Sequence, residues 1–241
     1  QIRSSAASDV YKRQDVGDEA LLLAQHAPTI IATNRAEGAK LAEKKGADLI
    51  IMDDGLQNNS LHKDVNFLVV DSHSGFGNGH LIPAGPLRES IQDALIKTHA
   101  IISLNGPYKT KAKKHEQPIF SANTITPNTL PLPETPFVAF AGMAHPGKFR
   151  RTLETINRQI VHWQEFADHH PYTLFEMEKL ESIARKHDAL LITTEKDHVR
   201  IPPTFQDNVQ TLPITLEFNQ EKSICDFLDD CLGRIETPHN A

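Results

Sequence analysis

The sequence predicts a layered α/β protein. Short apolar runs alternate along the chain with helical patterns, and glycines, prolines and acids punctuate the junctions. The apolar runs are nearly continuous rather than alternating with polar residues. That is the pattern of strands buried on both faces, as in a parallel sheet covered by helices. A hydrophobic share of 39% against 23% charged residues is that of a chain able to bury a core.

The elements follow in order. "TIIAT" (29–33) reads as a strand, and the helical "RAEGAKLAEKKG" after it ends at Gly46, a residue suited to a C-terminal cap. "DLIIM" (48–52), "FLVVD" (67–71) and "HAIISL" (99–104) read as further strands, with the helical "LRESIQDALIK" before the last. "TPNTLPLPETP" (126–136) carries four prolines in eleven residues; proline fixes φ and donates no backbone hydrogen bond, so this is a connector. Beyond it come the strand "FVAFAG", the helix "GKFRRTLETIN", the strand "IVHWQEF" and the helix "LFEMEKLESIARKH". The strand and turn "ALLITTEKD", the strand "PITLEF" and the closing helix "KSICDFLDDCLGRI" complete the series. The opening "QIRSSAASDVYKRQ" is polar, lacks an amphipathic period and has no initiator Met, so residues 1–14 are set apart as a leader foreign to the fold. Residues 15–130 are expected to form a core domain and 131–241 a smaller α/β domain.

Bulk properties exclude several classes. The formal net charge of −6 offers no basic field for nucleic acid. No apolar stretch is long enough to cross a bilayer. Cys225 and Cys231 match neither a C-x-x-C redox pair nor a metal knuckle, which fits a reducing compartment. "NGPYKTKAKKHEQP" (105–118) is locally basic; it suits anionic lipid headgroups or, more simply, a solvated loop.

Several stretches carry chemistry. "VAFAGMAHPGKF" (138–149) nearly spells the phosphate-cradling loop G-x-x-x-x-G-K-[ST], with Gly142, Gly147 and Lys148 in place. Phe149 stands where that loop needs a metal-binding hydroxyl, so the glycines here are expected to shape a strand-to-helix turn. "DLIIMDDGLQ" ends an expected strand in Asp53 and Asp54, a position where carboxylates hold Mg²⁺ beside phosphates or else simply close a turn. Asp18 and Glu19 precede an apolar helical run, where acids also serve as caps. "DSHSGFGNGHLIPAGPLRE" (71–89) is a long glycine-rich loop ending near Arg88, a residue able to grip a phosphate bidentately. "EFADHHPYT" offers Asp168, His169 and His170 as a carboxylate–imidazole base or as plain turn residues. In "LLITTEKDHVR", Lys196 can meet a phosphate or belong to a capped helix start.

Taken in order, "VGDEALLLA", "DDGLQN", "VVDSHSGFGNGHLIPAGPLRE", "VAFAGMAHPGKF", "FADHHPYT" and "LITTEKDHVR" closely resemble tetraacyldisaccharide 4'-kinase, the lipid A 4'-kinase of Gram-negative bacteria, from about Asp15 to the end. The resemblance implies a P-loop-like parallel-sheet α/β/α domain followed by a smaller α/β domain that closes over the site. It implies ATP and Mg²⁺ as cofactors and a membrane-borne lipid A disaccharide precursor as acceptor, met peripherally at the cytoplasmic face of the inner membrane. Residue by residue, Asp18 and His169 (with His170 as the alternative) match the catalytic pair. Asp53 and Asp54, with Glu19 close by, match the Mg²⁺-side acids. Arg88 and Lys196 fall on phosphate-side motifs, and Gln57, Asn78 and Arg88 on acceptor-positioning ones. With Asp18 and His169 on opposite sides of the boundary near 130, closure of the domains is expected to assemble the base. The family's own phosphate cradle lies upstream of "VGDE", so this chain by itself is expected to be inactive. Two rivals stand beside this reading: a non-catalytic α/β nucleotide- or lipid-binding module, and an NTPase built on Lys148.

Overall fold

Phe137–Ala141 shows how this sequence builds its sheets. All five residues are apolar and all five are buried. Side chains alternate across a strand, so Val138 and Phe140 enter one core while Phe137, Ala139 and Ala141 enter another on the opposite face. In the computed structural model, residues 2–5, 17–108, 116–126, 134–156 and 158–235 are described.

Elements along the described chain are β1 (Ile2–Ser5), α1 (Asp18–Leu23), β2 (Thr29–Ala32), α2 (Arg35–Lys44), β3 (Phe67–Asp71), α3 (Ile91–Lys97), β4 (Ala100–Leu104) and β5 (Ile119–Ile125). They continue with β6 (Phe137–Ala141), α4 (Pro146–Thr155), β7 (Ile160–Glu165), α5 (Leu174–Lys186), β8 (Leu190–Thr194), α6 (Glu195–His198), α7 (Pro203–Gln206), β9 (Val209–Leu212), β10 (Thr215–Phe218) and α8 (Glu221–Ile235). They group into two compact units, residues 1–33 with 126–214 and residues 34–125 with 215–241.

The first unit holds an all-parallel sheet in the order β7-β6-β8-β9. Met177, Leu180 and Ala184 of α5, at helical spacing, bury against the Val138/Phe140 face. Phe149 and Leu153 of α4 bury against the other face with Ile192 and Leu212. α5 starts on a capping box: Thr173 accepts from the Glu176 N–H, and the Glu176 carboxylate accepts from the Thr173 N–H. The second unit holds the sheet β10-β5-β4-β3, parallel except for β10. Val70, Leu95 and Ile101 form its core, and Phe227 of α8 packs its ring on Phe67 and Phe120.

Besides the strands β5 and β9, which the sequence reading did not name, the structure departs from that reading at four places. The run "DLIIM" forms no strand: Leu49, Ile50 and Ile51 are 60%, 44% and 88% exposed, without the paired neighbours that make a strand of such a run. β2 pairs antiparallel with β1, so residues 2–5 of the segment set apart as a leader carry a strand. β10 and α8, expected in the C-terminal domain, belong with residues 34–125, because β10 pairs with β5. Asp18 and His169, expected on opposite sides of a domain boundary, lie in the same unit, so no closure between domains is needed to bring them together. The basic stretch at 109–115 and the prolines at 131 and 133 lie outside the described residues.

Candidate active site

The carboxyl ends of β6, β7 and β8 converge on one corner of the first unit, the edge where parallel α/β sheets present ligand-binding groups. β6 ends at Gly142. Its N–H donates to Asp197 Oδ1 (3.0 Å), and its carbonyl accepts from Arg200 Nη1 (2.7 Å) and from the His169 N–H (3.1 Å). A Cβ at this position would lie 3.0 Å from the Ala167 carbonyl oxygen, 3.1 Å from Tyr172 Oη and 3.2 Å from Asp197 Oδ1. Glycine is therefore required by close approach rather than by its φ. The near-match to a phosphate loop ends here too: Phe149 is a core side chain, its ring 6.0 Å from that of Trp163.

Asp197 is fully buried. Its Oδ1 accepts from Gly142, Tyr172 Oη (3.0 Å) and Arg200 Nη1 (3.2 Å), and its Oδ2 accepts from Thr194 Oγ1 (2.7 Å). Burial and the neighbouring Asp197 carboxylate push the Tyr172 hydroxyl well above its ordinary pKa, so it stays a donor. Arg200, with no side-chain exposure, is the hub. Its Nε donates to Asp18 Oδ2 at 2.7 Å, its Nη1 to Gly142 and Asp197, and its Nη2 lies 3.1 Å from His169 Nδ1. A buried guanidinium paired with two carboxylates and a carbonyl meets the conditions under which a buried charge is tolerated.

Asp18 opens α1, and its side chain is not a helix cap: it is buried, with Oδ2 on Arg200 and 3.1 Å from His169 Nδ1. His169 reaches it from a left-handed backbone conformation (φ 57°), uncommon for a non-glycine residue and found where surroundings impose it. Its ring is about half exposed, with Nδ1 against Asp18 and Nε2 3.9 Å from Asp168 Oδ1. A guanidinium only donates, whereas a carboxylate only accepts. Nδ1 thus satisfies Asp18 when it carries the proton and Arg200 when it does not. His170 faces elsewhere: it stacks on Phe166 (4.7 Å) and binds Glu176 at 3.0 and 3.1 Å. Burial acts to raise the Glu176 pKa, but bonds from Thr173 and His170 outweigh it and hold the carboxyl below its ordinary value.

The other expected site residues are exposed, except for the half-buried Lys196. Lys196 Nζ is 2.9 Å from Glu19 Oε1, so the cation expected at a phosphate and the acid expected at a metal hold each other. In the second unit, Asp53 and Asp54 are adjacent, exposed and at a turn where Asp54 has φ 48°. Among the described residues, no three His, Cys, Asp or Glu gather into a metal-holding group. Two exposed carboxylates nevertheless suit a hard divalent cation that takes its remaining oxygens from phosphate and water. Gln57 Nε2 donates to Glu89 Oε1 (3.1 Å), and Glu89 Oε2 accepts from Lys97 (2.7 Å). Asn78 braces the glycine-rich loop, donating to the Ala84 carbonyl (2.8 Å) and accepting from the His80 N–H (3.1 Å). Arg88 is exposed. Sequence reasoning missed Gly142 as an anchor, Tyr172, Asp197 and above all Arg200. The i, i+3 spacing of Asp197 and Arg200 after a strand end was the available signal.

A family model described as tetraacyldisaccharide-1-P 4'-kinase (LpxK) matches residues 2–233. The match begins inside the segment set apart at 1–14. The chain is similar to the tetraacyldisaccharide 4'-kinase of Hyphomonas neptunium, 40% identical over 226 residues, which are 93% of this chain and 68% of that protein. It is 47% identical over 193 residues to the enzyme of that name from Parvibaculum lavamentivorans, covering 78% of this chain and 56% of that protein. The fold resembles the crystal structure of LpxK from Aquifex aeolicus in complex with ATP, with a TM-score of 0.75 at 24% identity over 98% of this chain and 74% of that one. This agrees with the expected P-loop-like α/β class. The chain thus spans part of the length of each of these relatives.

Proposed function

The chain belongs to the tetraacyldisaccharide-1-P 4'-kinase family, and from that premise we propose that it serves ATP-dependent phosphorylation of the 4'-hydroxyl of a tetraacyldisaccharide 1-phosphate lipid, with Asp18 and His169 as the proton-accepting pair. The observation that carries this reading is the 3.1 Å contact of His169 with a buried carboxylate at the carboxyl edge of a parallel sheet. In the reaction, the sugar 4'-oxygen forms a bond to the γ-phosphorus of ATP. The bond from that phosphorus to the β,γ-bridging oxygen breaks, its electrons leave with ADP, and the hydroxyl proton passes to the pair. Proton acceptance of this kind contributes roughly 10²–10⁴ in rate.

Asp53 and Asp54 are the residues proposed to hold Mg²⁺, which when bound neutralises charge on the phosphate oxygens. Glu19 is proposed as a third Mg²⁺-side acid, and its Oε1 is held by Lys196. Lys196 and Arg88 are proposed phosphate contacts, Gln57 and Arg88 acceptor contacts, and Asn78 acts through the loop it braces. No helix of the described residues is long and apolar enough to cross a membrane. The proposed location is peripheral, at the cytoplasmic face of the inner membrane, where the lipid acceptor is met.

The test is transfer of ³²P from ATP to the lipid disaccharide by the full-length gene product. Asp18→Asn and His169→Ala should each lower kcat by roughly 10²–10⁴. Full activity in both would remove the pair from the chemistry.

A further inference from the structure

We propose that Arg200 is the positioning residue of the Asp18–His169 pair, a buried guanidinium whose Nε–H holds the carboxylate and whose adjacent Nη2 packs against the imidazole Nδ1. The inference rests on the function proposed above and deepens it. Arg200 does not face solvent, so it acts through its neighbours rather than on a substrate.

The guanidinium is planar, and its donors keep a fixed angle. Nε–H points to Asp18 Oδ2 at 2.7 Å, and Nη2 meets His169 Nδ1 at 3.1 Å. The same planar group bridges the two members of the pair. Its other nitrogen, Nη1, holds the Gly142 carbonyl at 2.7 Å and Asp197 Oδ1 at 3.2 Å. Asp197 is in turn fixed by the Gly142 N–H, Tyr172 and Thr194. Arg200 thereby ties both side chains of the pair to the ends of β6 and β8, while the His169 backbone is held separately by its N–H to the Gly142 carbonyl. Asp168, with Oδ1 3.9 Å from His169 Nε2, is exposed, and the Lys196 side chain is paired with Glu19.

A lysine at 200 keeps the charge but has one nitrogen. Its three N–H groups diverge from a single point and cannot reproduce the planar fork that spans Asp18, the Gly142 carbonyl and Asp197. Arg200→Lys should therefore lower kcat on the order of tenfold to a hundredfold, the scale of a misplacement of about 1 Å, while the KM values for ATP and lipid change less than about twofold. In an Asp18→Asn background, where the carboxylate that Arg200 holds is already changed, Arg200→Lys should cost less than about threefold further. The isosteric Asp197→Asn, which loosens the far anchor, should show the same pattern with a smaller loss, and it decides the matter if Arg200→Lys fails to fold by circular dichroism. The inference is overturned if these changes raise KM in step with the loss, or cost the same factor in both backgrounds. Those results leave the proposed function standing, because it fails only if Asp18→Asn and His169→Ala are themselves active.

Discussion

Two acidic clusters of this chain live in opposite surroundings. Asp18 and Asp197 are buried around Arg200, Asp197 also accepts from Gly142, Tyr172 and Thr194, and the half-exposed His169 completes the group. Asp53 and Asp54 stand side by side in solvent after an apolar run that pairs with nothing described. The first cluster is finished by the protein itself, at a desolvation cost offset by hydrogen bonds and ion pairs. The second has its repulsion screened by water and is suited to a cation that arrives with its substrate. Preorganised chemistry and borrowed chemistry therefore differ in burial, and mutations should separate them.

The largest contrast is in stability. Asp197→Ala would take one of two carboxylates from a buried guanidinium and leave the Gly142 N–H and Tyr172 hydroxyl without an acceptor, and should cost about 3–5 kcal/mol in denaturant unfolding, while Asp53→Ala and Asp54→Ala should stay within about 0.5 kcal/mol. Equal effects in the two clusters would erase the distinction. Nearly as large, Phe149→Ala should cost about 3–5 kcal/mol as a core truncation, whereas Lys148→Ala should leave ATP affinity unchanged by calorimetry. Loss of ATP binding in Lys148→Ala would revive the phosphate-loop reading of "GMAHPGK". Gly142→Ala inserts a methyl 3.0 Å from a backbone oxygen and 3.2 Å from Asp197, so a cost of about 1–3 kcal/mol is expected, with a melting shift that reads it.

The smallest effect is at the start of α5. Thr173→Ala should cost about 1 kcal/mol. The folded-state pKa of Glu176 is depressed, so the stability it adds is present above the ordinary glutamate range and is lost as pH falls through its folded value. Glu176→Gln should flatten that acidic part of the stability curve. An unchanged slope between the two proteins would show that the capping carboxylate does not contribute it.

Much of the fold was legible because a strand buried on both faces must be written as a continuous apolar run, as Phe137–Ala141 and Leu190–Thr194 are. The same signal misled at "DLIIM", since burial depends on a neighbour that a local run cannot specify. β5, "IFSANTI", was missed because its polar residues break the run, and without it the home of β10 was unreadable. At the candidate site, the resemblance pointed to Asp18 and His169 through the motifs around them, and their side chains lie 3.1 Å apart. Arg200 was not legible, because one arginine after a turn looks like any other until the fold removes it from water. His169 and His170 are indistinguishable as letters, and only the backbone turn at His169 sends one ring to Asp18 and the other to Glu176.

The measurement closest to the central claim compares His169→Ala with His170→Ala in the kinase assay on the lipid disaccharide. His169→Ala should lose roughly 10²–10⁴ in kcat and His170→Ala less than about tenfold, its effect confined to stability around Glu176. Loss of turnover in His170→Ala, with His169→Ala active, would contradict that claim.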